Sequence, residues 1–257
     1  MLHKSDIGDA AVHTLVRLRS GHVIGDNLWL WRADHTALRP GEAPRTHHTI
    51  AGATEDYHLV ALGEYPAATG LEVAASATDV TMFGLAVEHT VGDLVVWKGD
   101  RGRTWFYQSE LPYDVDQRAY GDRGFTAYRV VAPAREEEPI GGGVEDQDEK
   151  DKEASSNSTD SFEHEGVGVG VYGFFRDHPC VVPAAVVCPG DGKGSGNGNG
   201  NGNGNKGAKP SSSSSGGVRF RNTFTRHLNG KGTIASVING VRGGAVGPDG
   251  PLLVHIP

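Results

Sequence analysis

The sequence predicts an all-β solenoid, a chain that coils through short strands stacked turn upon turn. Three observations carry this. The ordered segments are short runs rich in Val, Ile, Thr, Trp, Phe and Tyr, separated by Gly, Asp and Asn. No segment sustains a 3.6-residue apolar period with helix caps. A seven-residue pattern returns after 22 residues, the length of one solenoid turn.

The strands are expected at residues 80–87, 94–97, 104–108, 128–131, 167–175, 180–188, 218–220 and 233–238. The repeat places MFGLAVE (82–88) above TWFYQSE (104–110), and LWLWRAD (28–34) joins them. The second position of each is aromatic (Trp29, Phe83, Trp105) and the last is acidic (Asp34, Glu88, Glu110). Two of the acids are followed by the same dipeptide, His35-Thr36 and His89-Thr90. Side chains alternate faces along a strand. The columns Trp29/Phe83/Trp105 and Trp31/Leu85/Tyr107 are therefore expected to face inward. Arg32, Gln108 and the three acids are expected outward, because an unpaired buried carboxylate is costly. The 54 residues between Asp34 and Glu88 exceed one turn and predict an excursion over 37–69, with a strand near 57–62.

The composition is uneven. Of the net charge of −8, the stretch 136–165 alone supplies −10, from 12 acidic and 2 basic residues. The remainder is close to neutral, which argues against a nucleic-acid binder, since that needs a clustered basic face. A Gly-Asn tract at 196–205 and a serine run at 211–215 cannot bury enough apolar surface to offset ordering entropy. Two disordered loops are therefore expected, acidic at 136–161 and Gly/Asn/Ser-rich at 190–217. No apolar run is long enough to span a membrane, and no membrane partner is expected. The N-terminal stretch lacks the apolar core of a signal peptide and reads as if it begins inside a fold. Cys180 and Cys188 can pair across a short loop or remain small buried hydrophobes.

The segments GDNLWLWRADH (25–35), DVTMFGLAVEHTVGDLVVWKGDRGRTWFYQSELPYD (79–114), GVYGFFRD (170–177) and RFRNTFTRHLNGKGTIASVING (219–240) resemble the C-terminal half of a microbial family of right-handed parallel β-helix proteins. That family is fungal and actinobacterial and belongs to the pectate-lyase-like superfamily. Its members often carry names such as coagulation factor 5/8 type domain protein or adenylyl cyclase. No GxxxxGK[ST] phosphate loop is present to support the second name. The resemblance implies one single-stranded right-handed parallel β-helix domain over 1–257, the C-terminal part of a longer secreted protein, interrupted by the two loops. Superfamily relatives include polysaccharide lyases and glycoside hydrolases, among them β-1,3-glucanases. The implied partner is an extracellular or cell-wall polysaccharide or oligosaccharide.

The residues point to the same chemistry through the acidic column. Glycosidic hydrolysis needs two carboxyl groups flanking the bond, and crowded like charges raise one pKa, which suits a general acid. Glu88, Glu110 and Asp34 are the expected catalytic groups, with Glu110 or Glu88 as acid and its neighbour as base or nucleophile. Arg32, His35, His89, Gln108, Trp97, Tyr113 and Asp114 are the expected substrate-binding groups. Trp97, Phe106 and Tyr113 are expected to be exposed, whereas Trp29, Trp105 and Tyr107 fall on the core face. No metal ligand set and no cofactor is expected, since HExxH, CxxC and a Ca²⁺ loop are absent. A lyase would instead draw its base from Arg101, Arg103 or Arg32. Hydrolysis is the preferred reading, a non-catalytic glycan-binding solenoid the second and a lyase the third.

Overall fold

The computed structural model describes residues 11–34, 65–132, 162–189, 217–228, 231–239 and 252–254. The acidic loop at 136–161, residues 190–216 of the second loop, the strand expected near 57–62, and His35 all lie outside them.

The described residues are built from strands in parallel sheets, and a single π-helical turn, Gln117–Gly121, is the helical element among them. One sheet holds β1 (Val12–Leu18), β4 (Ala67–Val73), β6 (Val95–Trp97), β8 (Tyr128–Val130) and β11 (Val186–Val187), in that order. The other holds β2 (Ile24–Asp26) and β3 (Trp29–Trp31), then β5 (Thr81–Glu88), β7 (Gly102–Glu110), β9 (His164–Gly173) and β12 (Val218–His227). β14 (Leu252–Val254) pairs antiparallel at its far edge. A short parallel pair joins β10 (Val181–Val182) to β13 (Thr233–Ile234). From β4 to β9 the chain alternates between the two large sheets, advancing one strand at each return.

Most of the expected strands are present, and 180–188 is split around Pro183 into β10 and β11. β1 and β4 fall outside the expected set. The 22-residue register between β5 and β7 is observed, Glu88 pairing with Glu110. The register of the first turn differs. Trp29 pairs with Ala86 and Trp31 with Glu88, an offset of 57 rather than 54. A slip of three, an odd number, exchanges the two faces of a strand. Trp29 is accordingly 62% exposed and not in the core.

The strict alternation also fails within the long strands, for a visible reason. Asn27, Gly84, Phe106, Gly168 and Asn222 all have φ between 50° and 69° and stand at equivalent positions of successive strands. Left-handed backbone is cheap for Gly and tolerated by Asn. The column bends the sheet and resets which side chains point inward. Before it, Met82 and Thr104 are buried; after it, Leu85, Val87, Tyr107 and Ser109 are. Phe83, expected in the core, is 42% exposed, and Trp105 is only half-buried.

The core lies between the two large sheets. The columns Leu71/Val95/Tyr128/Val186 and Leu85/Tyr107/Val169 face one another within one apolar cluster. Trp97 belongs to it. The ring is fully buried, stacked on Tyr128 at 6.3 Å and tilted against His164 at 4.7 Å. This corrects the expectation that Trp97 is exposed to meet substrate: its short strand buries it on both flanks. Cys180 and Cys188 are free thiols.

Candidate active site

Parallel strands end on the same side, so the C-terminal ends of β3, β5 and β7 converge. Glu88 and Glu110, the last residues of β5 and β7, are register partners. Adjacent strands lie about 4.8 Å apart, so the two carboxylates are neighbours. Asp34 does not continue this column, where Trp31 stands instead. It follows β3 by three residues and reaches the cluster by another route.

That route is His89. The residue after Glu88 takes φ 62°, a left-handed turn that is strained for a non-glycine residue. The turn points the imidazole under the carboxylates. Nδ1 lies 2.5 Å from Asp34 Oδ2 and Nε2 lies 3.4 Å from Glu110 Oε2. Burial alone pushes His89 toward its neutral form, but bonds and charge from Asp34 and Glu110 outweigh it and raise the pKa to about 9. At neutral pH the ring is an imidazolium donating to both acids. The Trp31 indole N–H then donates to Asp34 Oδ1 at 3.0 Å.

Tyr113, from the loop after β7, donates its hydroxyl to Glu110. Its ring packs against His89 at 4.3 Å and Phe174 at 4.8 Å. Burial, then the charge of Glu110, raises its pKa and keeps the phenol a donor. The Trp29 indole donates to Glu88 at 3.0 Å, and Trp29 stacks on Trp31 at 4.9 Å and 15°. Burial and the charge of Glu110 raise the Glu88 pKa, against the opposing pull of Trp29, His89 and Gln108. Of the three acids expected to reach water, Glu110 alone keeps a sizeable share of its side chain open, 27%; Glu88 and Asp34 are buried, each carboxylate bonded to an indole N–H.

The structure thus brings together Glu88, Glu110, Asp34, His89, Tyr113 and Gln108. It sets Arg32 and Asp114 apart as a brace. Arg32 is buried, with a bidentate pair to Asp114 at 2.8 and 2.9 Å and a bond to the Tyr65 carbonyl at 3.3 Å. It ties the loop after β3 to the loop after β7, donates to the His89 carbonyl at 3.4 Å, and its side chain is closed to solvent. His89 is fully buried, its ring nitrogens facing Asp34 and Glu110 and not solvent. Arg101 and Arg103 sit at the opposite end of β7, Arg101 held by Asp79 and Asp100. The basic turn therefore cannot act with the acid pair. Asp116 caps the π-helical turn and Asp122 accepts from Gln117. Among the described residues no group of three or more His, Cys, Asp or Glu is arranged to hold a metal. Sequence reasoning assigned Trp29 and Trp31 to the core; the indole pair at the site is what the register error hid.

Residues 4–110 match the family described as LAM55 pectate lyase-like domain. The chain is also 34% identical, over 127 residues, to a curated exo-β-1,3-glucanase of Streptomyces sp. strain SirexAA-E. That alignment covers 48% of this chain and 17% of the relative. The solved structure of sacteLam55A from the same organism superposes with a TM-score of 0.61 at 25% identity, covering 96% of this chain and 33% of that one. A glutamate-to-alanine variant of sacteLam55A in complex with glucose gives the same TM-score at 26% identity, with the same coverage. The chain therefore spans a third or less of the relatives it matches. The β5 and β7 acids lie within the matched family region.

Proposed function

We propose that this chain is a right-handed parallel β-helix of the LAM55 type and that it hydrolyses β-1,3-glucan outside the cell. The observation that carries the reading is the Glu88–Glu110 pair at the ends of adjacent strands, with Asp34–His89 fixed beneath it and two exposed-side indoles beside it. The glucanase relatives supply the substrate class.

The chemistry follows from the pair. One carboxyl group gives its proton to the glycosidic oxygen as the bond to the anomeric carbon breaks. The other receives a proton from water, or attacks the anomeric carbon directly. One water is consumed per bond. Burial first, and then the neighbouring charge of Glu110, raise the pKa of Glu88, which suits it to carry the proton of the pair. His89 and Tyr113 hold Glu110 in one orientation, which is the preorganisation that proton transfer requires. The stacked face of Trp29 and Trp31 offers an apolar plane to a sugar ring beside the acids.

Incubation of the chain with a panel of glycans tests this. Release of reducing ends from β-1,3-glucan, without the ultraviolet absorbance of unsaturated products, is expected. Unsaturated products would overturn hydrolysis in favour of a lyase. Binding without any new reducing ends would overturn it in favour of a non-catalytic glycan-binding module.

A further inference from the structure

The carboxylates stand in the middle of a longer row. The register continues from Trp31 through Glu88 and Glu110 to Tyr172 and then Arg226. Two residues earlier in each strand, the parallel row is Trp29, Ala86, Gln108, Gly170 and Phe224. Both rows lie on the outer face beyond the bend. Tyr172 and Phe224 are half-buried and meet edge to face at 5.7 Å, and Arg226 is exposed. Gly170 makes room for this. A Cβ there would sit 2.7 Å from the Phe224 ring, so the ring lies down over the glycine and not outward from the sheet.

We infer that Tyr172, Phe224 and Arg226 form a second sugar-binding stretch on the far side of the acids from Trp29 and Trp31. A β-1,3-glucan chain then lies across the strands, along the stacking direction. This rests on the hydrolase reading for its substrate. The occupant follows from continuity, since the same two rows that carry the indoles and carboxylates carry these residues. Five strands at about 4.8 Å span about 19 Å from the first to the last, room for several sugar residues and not one. Aromatic faces give sugar rings apolar contact, and an exposed guanidinium donates to hydroxyls without needing an anionic ligand. A site meant for a single terminal glucose would need none of them.

The test compares linear β-1,3-gluco-oligosaccharides of two and six glucose units on the full chain and on Phe224→Ala and Arg226→Ala, reading affinity by calorimetry and turnover by product analysis. Phe224→Ala is expected to lower the hexamer-to-dimer affinity ratio about three- to tenfold, the worth of one aromatic contact. Arg226→Ala, at an exposed position that folding does not need, is expected to lower it by a smaller factor in the same direction. An unchanged ratio in both variants, or equal losses for dimer and hexamer, would overturn the second stretch. If the unaltered chain turns over no glucan yet its hexamer binding still depends on Phe224, the stretch stands and the hydrolase reading falls.

Discussion

His89 stands just past the end of β5 and His164 opens β9, two strands of one sheet; both are shut off from solvent, yet their pKa values move in opposite directions. Burial pushes each toward the neutral form. At His164 burial acts alone, and the pKa falls to about 3. Its ring sits among Trp97, Tyr128 and Phe220, with the Tyr128 hydroxyl at 3.0 Å from Nε2 and no partner for Nδ1 among the described residues. At His89 two carboxylates overcome burial, and the pKa rises to about 9. The difference separates a histidine packed among aromatic rings from one held between carboxylates. Burial says little about function; the number of acids gathered around a ring says much more.

Substitution should separate the two most widely. His89→Gln removes the cation between Asp34 and Glu110, and with it one counter-charge of the buried Asp34. Breaking a buried pair in this way costs about 3–5 kcal/mol, measurable by urea unfolding, and turnover should fall with it. His164→Phe keeps the aromatic packing and removes Nδ1, which has no partner among the described residues, together with the Nε2 contact to the Tyr128 hydroxyl. Its cost should be near that of one hydrogen bond, about 1 kcal/mol. Similar costs at the two positions would break the comparison.

The pH dependence of stability sharpens it further. Between about 6.5 and 9 the folded chain holds a proton on His89 that the unfolded chain has released. Stability from this group is complete below 6.5 and is lost as pH rises through 9. Between about 6.5 and 3 the unfolded chain protonates His164 and the folded chain does not. Stability from this group is complete above 6.5 and is lost as pH falls toward 3. Each limb should slope by up to about 1.4 kcal/mol per pH unit. His164→Phe should flatten the acid limb and leave the alkaline limb in place, whereas His89→Gln should remove the alkaline limb. Denaturant melts across the range would contradict this if the alkaline limb survived in His89→Gln or vanished in His164→Phe.

The smallest effects concern the tyrosine attached to each ring. Tyr128→Phe breaks the contacts to Thr104 and His164 at 2.7 and 3.0 Å and should cost about 1 kcal/mol without altering turnover. Tyr113→Phe should change stability less and lower kcat, because the lost donor holds Glu110. A kcat loss in Tyr128→Phe, with Tyr113→Phe unaffected, would reverse the assignment.

Much of this was legible in the sequence, and the failures have physical causes. The β5–β7 register could be read because both strands carry the same aromatic and acidic pattern at one fixed offset. It placed Glu88 beside Glu110 correctly. In the first turn the pattern misleads, because residues 28–34 carry the same aromatic second and acidic last position as β5, and His35-Thr36 copies His89-Thr90, which together draw Asp34 into the acid column. Asp34 reaches His89 all the same, since a side chain three residues past the strand end can fold back. The bend was written in Asn27, Gly84, Gly168 and Asn222, but left-handed residues form a column only once the register is known. Phe106, at the same position, hides it. Arg32 and Asp114 are 82 residues apart, and no local pattern joins them. Trp97 lies in a three-residue strand, too short for alternation to show which way it points.

The central claim is that Glu88 and Glu110 act as one catalytic unit on β-1,3-glucan. Turnover by Glu88→Gln, Glu110→Gln and the double variant, with folding checked by thermal melting, tests it most directly. Each single change should lower turnover by about 10²–10⁴-fold while the fold is retained. The double variant should be little worse than either single one, since the pair acts together. Wild-type turnover in either folded single variant, or losses that simply multiply in the double, would contradict the claim.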